Sequence, residues 1–421
     1  MELNTEQQHA LELMKSGQNV FLRGDAGTGK TVVINRFIES DPDHIVSLAP
    51  TGLAANNLKH GGMTVHRFLG ALSRDWIQNQ AKVREFLRSL RSLIIEEISM
   101  VRSDLFSQLD HDLRTYTGRD QPFGEIPLIV VGDFYQLPPV VKSEAEQEFL
   151  KKSMGGIFAF NTPVWGLAKF QNIELKTPHR QTNQDFLTLL RTVRSGAAGL
   201  EEQLRRLDSQ VQRQPPPLSR SLCCYRQRAD LINQAHVERL LTPEEIYTGT
   251  YSGYFPASEW PAPIRLKVKS EMRVLLTAND PQGAYVNGDI GEVLVCGKKF
   301  IWIQLLCGRW IDVTRHEWAN YDYHIVTQPD GSSKLDSRIV GHFTQFPVLP
   351  AYAMTIHKAQ GQTLDQVHLE LGTRPCFASG QLYTALSRVR NLEDLTLNRP
   401  LQVADVVVDE QVRRFYERLE D

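Results

Sequence analysis

Val20-Phe21-Leu22-Arg23-Gly24-Asp25-Ala26-Gly27-Thr28-Gly29-Lys30-Thr31 decides the fold class of this 421-residue chain. Three apolar residues run straight into G-x-x-x-x-G-K-[ST], and a helical pattern occupies 32–39 directly after it. A strand, a glycine-rich turn and a helix in that order make a phosphate cradle. Small residues at Gly24, Ala26, Gly27, Thr28 and Gly29 let backbone N–H groups turn inward on an anion. Lys30 reaches the outer phosphates as a point charge, and the Thr31 hydroxyl is placed to bind Mg²⁺. The reading is a nucleotide site at the tip of a parallel strand.

Working outward, further apolar runs at 45–48, 93–95 and 128–131 are continuous rather than alternating. Parallel strands covered on both faces have that texture. Longer polar-apolar segments such as 104–116 separate them, which makes the pattern α/β and doubly wound. The run Leu93-Ile94-Ile95 ends in Glu96-Glu97. A phosphate-cleaving site needs carboxylates at a neighbouring strand tip, so Glu96 is assigned to Mg²⁺ and Glu97 to the general base. Gln7, three residues after Asn4, fits either an adenine contact or the N3 partner of Asn4 in a capping box. A break is expected at 142–170, and a second α/β unit begins near Ile173. Within it, 212–217 (QRQPPP) reads as an exposed loop. From about 264 to 345 short β-rich segments between Gly, Asn and Asp turns predict a small barrel-like insert. After Phe346 the α/β pattern resumes and ends in an amphipathic helix striped by Val408, Val412, Phe415, Tyr416 and Leu419.

Composition excludes several classes. Lys plus Arg number 47 against 49 Asp plus Glu, a net −2, so no polybasic tail does the binding, although a local basic groove remains compatible. No apolar run approaches the roughly 18 residues of a membrane span. The opening Met1-Glu2-Leu3-Asn4-Thr5-Glu6 carries neither a basic nor an apolar leader region, which predicts no secretory signal. Five cysteines without a C-x-x-C pair argue against a disulfide framework or zinc ribbon. Cys223 and Cys224 read as buried filler. The expected compartment is the cytosol, or the nucleus in a eukaryote.

Leu3-Asn4-Thr5-Glu6-Gln7, Thr51-Gly52-Leu53-Ala54-Ala55 and Thr64-Val65-His66-Arg67-Phe68 form, with four later segments, an ordered motif series. The later ones are Val131-Gly132-Asp133-Phe134-Tyr135-Gln136-Leu137-Pro138-Pro139-Val140, Pro178-His179-Arg180-Gln181, Ile356-His357-Lys358-Ala359-Gln360-Gly361-Gln362-Thr363 and Gln381-Leu382-Tyr383-Thr384-Ala385-Leu386-Ser387-Arg388. The series resembles superfamily 1B helicases, closest to the petite-integration-frequency (PIF) type and more distantly similar to RecD. The likeness runs from Leu3 to about Asn398. It implies two RecA-like P-loop lobes with ATP and Mg²⁺ between them, the first over 1–170 and the second over 171–421. It implies a short wedge insert at about 69–90 and an SH3-like β-barrel insert at about 285–345, which Tyr285-Val286-Asn287-Gly288-Asp289-Ile290-Gly291 would enter. The implied activity is 5′-to-3′ movement on single-stranded DNA, coupled to opening of duplex, forks or other structured DNA. Replication, repair, recombination and telomere maintenance are the implied settings. Single-strand/duplex junctions, G-quadruplexes and R-loops are candidate partners, and a monomer is expected.

The resemblance also distributes roles. It moves Gln7 toward adenine, gives Arg180 and Arg388 to the leaving phosphate, makes Gln136 a γ-phosphate sensor, and adds Gln360 and Gly361 to the nucleotide side. Thr51, Thr64, His66 and Phe68 of the first lobe and His357 and Lys358 of the second should line the strand groove, with Pro138 and Pro139 offering apolar faces between bases. The competing readings are a core aromatic for Phe68 and a structural histidine for His66. The insert carrying Trp76, Lys82, Arg84 and Arg88 reads equally as a basic surface helix. One departure is Glu96, where the family usually has Asp; its longer arm reaches Mg²⁺ through a shared water and slows turnover. Two other readings stay open: an ATP-gated single-strand clamp with weak hydrolysis, and a translocase on RNA or RNA–DNA hybrids. The absence of long terminal extensions points to a bacterial or viral source.

Overall fold

Alternate residues of each apolar run enter opposite cores, which is why the runs have no polar face. Strands β1 (Val20–Gly24), β2 (Ile45–Ala49), β3 (Met63–Thr64), β4 (Ser92–Ile95), β5 (Leu128–Val131) and β6 (Gln171–Leu175) make one parallel sheet in the order β3-β2-β4-β5-β1-β6. Val20, Leu22, Ile94, Ile129 and Val131 face helices Thr5–Lys15 and Lys30–Ile38 through Ala10, Met14, Val33, Ile34 and Phe37. Phe21, Leu93, Ile95, Leu128 and Val130 face the other way, toward helix Ser103–Thr117 and its Phe106, Leu109 and Leu113. The computed structural model describes residues 3–51, 54–55, 58, 62–141, 143–181, 183–216, 219–327 and 333–420. Gly52 and Leu53 of the second motif and Pro217 of the proline run lie outside them.

Strands β7 (Arg220–Cys223), β18 (Ala353–Thr355), β19 (Val367–Glu370) and β20 (Leu395–Leu397) form a second parallel sheet, ordered β18-β7-β19-β20. Between β7 and β18 lie antiparallel strands: β8 (Glu244–Thr248), β9 (Thr250–Gly253), β10 (Arg265–Lys269), β11 (Arg273–Leu276), β12 (Ile290–Cys296), β13 (Phe300–Leu305), β14 (Trp310–Thr314), β15 (His316–Thr327), β16 (Ser333–Gln345) and β17 (Val348–Pro350). They form the sheets β14-β13-β12-β11-β17, β10-β8 and β15-β16-β9. Strict alternation along β13, with Ile301, Ile303 and Leu305 inward, gives this insert its own core.

Three sequence-based boundaries move. The first sheet ends with β6, whose Ile173 pairs with Leu22, so the first lobe extends past residue 170. Where a break is expected at 142–170, residues 143–170 are instead folded into that lobe, with Phe158 buried and Trp165 packed edge-on to Phe21 at 5.5 Å. The β-rich insert runs from Glu244 to Pro350 rather than 285–345, because β8 pairs with β10 and β17 closes onto β11. The last helix, Glu410–Glu420, returns to the first lobe. Phe415 stacks on Phe160 at 4.3 Å and Tyr416 on Tyr135 at 4.8 Å.

Helices Val65–Gln78 and Gln80–Ser89 occupy the expected wedge position. Their apolar faces, including Phe68, Leu72, Phe86 and Leu87, are buried in the first-lobe core. Trp76 and Arg84 are also engaged: Trp76 lies 4.8 Å from the Tyr116 ring and Arg84 sits over Trp76. Arg88 donates to Thr117 O at 2.9 Å. Among the described residues, no helix is long and apolar enough to cross a membrane.

Candidate functional site

The glycine-rich turn follows β1 and opens helix Lys30–Ile38. Gly27 and Gly29 sit at φ +84° and +85°, a region that side chains disfavour. Space is as decisive as the angle. A Cβ on Gly27 would meet Arg180 Cβ at 2.5 Å, and one on Gly29 would meet Gln7 Nε2 at 2.4 Å. The two glycines let the cradle sit hard against two side chains from distant parts of the chain.

Gln7 takes the capping role and also reaches the cradle. Its backbone N–H donates to Asn4 Oδ1 and its Oε1 accepts from Asn4 N, a complete capping box. Its Nε2 then donates to Thr28 O at 3.3 Å, so the capped helix holds it against the cradle. Lys30 Nζ donates to Gly24 O at 2.8 Å and Asp25 O at 3.0 Å. Burial pulls its ammonium below the ordinary range, opposed by Asp133, Glu97 and Asp25. Thr31 is exposed and Thr28 is buried.

At the tip of β4 the two carboxylates behave differently. Glu96 is pushed up to about 7, first by burial and then by the charge of Glu97, against the pull of Lys30. Its Oε1 is sealed from solvent without a hydrogen-bond partner. A buried, unpartnered carboxylate oxygen beside a phosphate cradle suits a cation, so the residues fit magnesium. Among the described residues, no group of three or more His, Cys, Asp or Glu could hold a metal. Glu97 has φ 51°, the left-handed region, which turns its side chain sharply off the strand. Its Oε2 accepts from Gln360 Nε2 at 2.9 Å. Gln360 follows helix Ile356–Ala359, so the second lobe holds a carboxylate of the first.

Arg180 and Arg388 meet beside this contact. Arg180 stands over Gly27 and donates to Ser387 O at 2.9 Å. Arg388 is fully buried and donates to Thr384 O at 2.8 Å, Ser387 Oγ at 2.8 Å and Gln362 O at 3.3 Å. Burial lowers both guanidiniums, Arg388 to about 10 with Arg180 as the next cause, while Glu97 pulls each back up. Arg388 therefore remains charged near neutrality. Gln136 is buried, and its backbone N–H donates to Asp133 O at 2.9 Å. Gly361 turns the chain after Gln360 at φ 78°.

Sequence reasoning missed the network behind the cradle. Asp133, fully buried, accepts from Arg194 Nη2 at 2.9 Å and Nε at 3.0 Å, and from the Tyr416 hydroxyl at 3.2 Å. Arg194 also pairs with Asp25 at 3.3 Å and lies 4.3 Å over the Tyr135 ring. The Tyr383 hydroxyl accepts from Ala26 N at 3.2 Å. Asp133 and Tyr383 stood in quoted motifs. Tyr416 carried only an amphipathic-helix signal, which says nothing of its partners, and Arg194 carried no signal at all.

The expected strand-contacting residues divide. Thr64, His66, Pro138, Pro139, His357 and Lys358 all line one cleft of ≈ 2540 Å³ between the lobes and the β-rich insert. Phe68 does not: at 0 % exposure it is a core side chain, because its helix turns that position inward. Thr51 does not line the cleft either, and its Oγ1 accepts from Ala54 N at 3.2 Å. Thr64 serves additionally as a helix N-cap, accepting from Arg67 N.

Residues 2–203 match the family profile described as PIF1-like helicase. The chain is 31% identical to ATP-dependent DNA helicase Pif1 of Bdellovibrio bacteriovorus, over 100% of this chain and 93% of that protein. It is 32% identical to ATP-dependent DNA helicase PIF1 of Xenopus laevis over 94% of this chain, but spans only 61% of that relative's length. Among solved structures, Bacteroides sp Pif1 in complex with ADP-AlF4 superposes with a TM-score of 0.83 at 30% identity, covering 100% of this chain and 97% of that one. Bacteroides Pif1 in complex with ADP-AlF3 and single-stranded DNA gives 0.73 at 31% identity, covering 100% and 98%.

Proposed function

Because this chain belongs to the PIF1-like helicase family, we propose that it is an ATP-dependent DNA helicase, tracking 5′ to 3′ on single-stranded DNA and opening duplex, forks or other structured DNA. The observation that carries the reading is the cross-lobe hydrogen bond from Gln360 to Glu97 beside Arg180 and Lys30. It ties the carboxylate best placed for hydrolysis to the lobe that would move. The Bacteroides relative binds ADP-AlF3 and single-stranded DNA, which supports both ligands here.

In this reading the cradle N–H groups and Lys30 bind the phosphates of ATP, and Gln7 packs at the adenine side. Glu96 and Thr31 would hold magnesium, which when bound neutralises charge on the β- and γ-phosphates. Glu97 orients the attacking water and accepts its proton; Gln360 keeps the carboxylate aimed. Arg180 and Arg388 offer guanidinium N–H groups to the γ-phosphate oxygens from the second lobe, and Gln136 reports phosphate occupancy toward Pro138 and Pro139, two and three residues on. Burial of Arg388 and Gln136 strengthens the charge interactions around them. Thr64, His66, Pro138, Pro139, His357 and Lys358 contact the strand in the cleft they line. Single-strand/duplex junctions are the proposed substrates, with G-quadruplexes and R-loops as structured variants, acted on by a monomer in a bacterial cytoplasm.

Unwinding of matched duplexes carrying a 5′ or a 3′ single-stranded tail tests this. Strand separation dependent on ATP and on a 5′ tail, abolished by Lys30→Ala, is expected. Equal activity on 3′ tails would overturn the polarity. DNA binding without DNA-stimulated hydrolysis would replace the motor with a clamp.

A further inference from the structure

Cys224 and Cys376, 152 positions apart in the chain, meet in the second lobe with their Sγ atoms 3.4 Å from each other. Both are buried free thiols. Cys224 directly follows β7, and Cys376 lies in the connection from β19 to helix Gln381–Leu386. The adjacent Cys223 takes no part, because it packs on Ala229 and Ala353 in a separate small core. The next residues along, Tyr225 and Phe377, hold the two segments side by side with ring centroids 4.9 Å apart.

A disulfide needs an S–S distance of roughly 2.05 Å, so about 1.4 Å remains to be closed from 3.4 Å. The Cys376 segment can supply that movement. Residues 372–380 form neither helix nor strand, and Thr373, Arg374, Pro375 and Phe377 around the thiol are exposed. The contact with Cys224 and burial both hold the Cys376 thiol well above the ordinary range, which keeps it protonated and slow to react until the segment opens.

The pair sits at the head of a helix that touches the nucleotide cradle. Gln381 ties both segments to that helix: its Nε2 donates to Cys224 O at 3.2 Å and its Oε1 accepts from Phe377 N at 3.2 Å. The same helix carries Tyr383, whose hydroxyl accepts from Ala26 N, and Arg388 stands two residues past its end. A covalent bond here would fix what hydrogen bonds now hold.

We propose that Cys224 and Cys376 form an oxidative modification site, closed to a disulfide by a peroxide, and that the closed form hydrolyses ATP more slowly. One sulfur attacks a peroxide oxygen, breaking the O–O bond and giving a sulfenic acid and one water. The second sulfur then attacks the sulfenic sulfur, forming the S–S bond and expelling the second water. Two thiols are oxidised, hydrogen peroxide is reduced, and the two thiol protons leave in the two waters. The bond does not depend on the functional reading above, whereas its effect on turnover rests on it.

The full chain carrying Cys307→Ser, which removes an exposed thiol able to cross-link copies, is treated with hydrogen peroxide and digested without reduction. Peptides joined through Cys224 and Cys376 are expected, with the thiol count falling by two and recovering in dithiothreitol. DNA-stimulated ATP hydrolysis should fall by roughly fivefold or more on oxidation and return on reduction, while Cys376→Ala should keep its rate through the same treatment. Sulfinic acid at either cysteine in place of the joined peptides overturns the site. Joined peptides with an unchanged rate overturn the effect on turnover. The peptide map reads the parent cysteines, so poor folding of Cys376→Ala cannot mask it, and Cys224→Ser is the second variant for the rate. Absence of DNA-stimulated hydrolysis in the reduced protein would sink the helicase reading and leave the map to decide the bond.

Discussion

Arg194→Met is the most informative perturbation outside the chemistry. The parent side chain gives Asp133 two hydrogen bonds, at 2.9 and 3.0 Å, and Asp133 is fully buried. Two opposite charges about 4 Å apart at an effective dielectric of 20 attract by about 4 kcal/mol. Removing one partner of such a pair costs about 3–5 kcal/mol, because the other charge stays buried and unpaired. Asp133 would keep its bonds from the Tyr416 hydroxyl and Tyr135 N–H, so the lower end, about 3 kcal/mol, is expected. The pH dependence has a definite sign. Burial alone would raise the Asp133 carboxyl, but Arg194 and then Lys30 hold it below the ordinary range. The pair therefore contributes stability at neutral pH and loses it only as pH falls through that depressed value. In Arg194→Met burial wins and the carboxyl rises, so protonation relieves the variant first, and its deficit should shrink as pH drops from 7 toward the acid range. Urea unfolding followed by circular dichroism measures the deficit. Asp133→Asn combined with Arg194→Met should recover part of it. A deficit under about 1 kcal/mol, or simple additivity in the double variant, would refute the reasoning.

Gln360→Ala removes a hydrogen bond to a charged acceptor worth about 1.5–3 kcal/mol, so kcat for DNA-stimulated ATP hydrolysis should fall roughly ten- to hundredfold with KM for ATP nearly unchanged. Glu97→Gln should bind ATP and fail to turn it over, and parent-rate hydrolysis would disqualify it as the base. Arg388→Ala should lower kcat by on the order of 10³-fold, far more than it weakens nucleotide binding; a pure affinity loss would reduce it to a brace for Thr384 and Ser387. Phe68→Ala should cost about 3–5 kcal/mol in unfolding experiments while the folded fraction binds single-stranded DNA normally, as a core residue must.

The amino-acid order alone determined the α/β class, the cradle and the carboxylate strand tip, since these depend on contiguous residues. A strand buried on both faces must be a continuous apolar run, and a phosphate turn must have glycine where the backbone closes on the anion. The motif series likewise named both lobes and the cleft-lining Thr64, His66, His357 and Lys358. Whether Phe68 points at a ligand or a core is a matter of helix rotation against neighbours far away in the chain, and only packing decided it. The same holds for Gln7, which caps a helix and supports the cradle at once. Arg194 against Asp133, Gln360 against Glu97, and Trp318 over Phe343 join positions 61, 263 and 25 residues apart. Such pairings leave no local period or spacing to read. Where the β-rich insert begins and where the final helix docks were tertiary decisions too, because each follows from which partner strand or core can bury an already amphipathic segment.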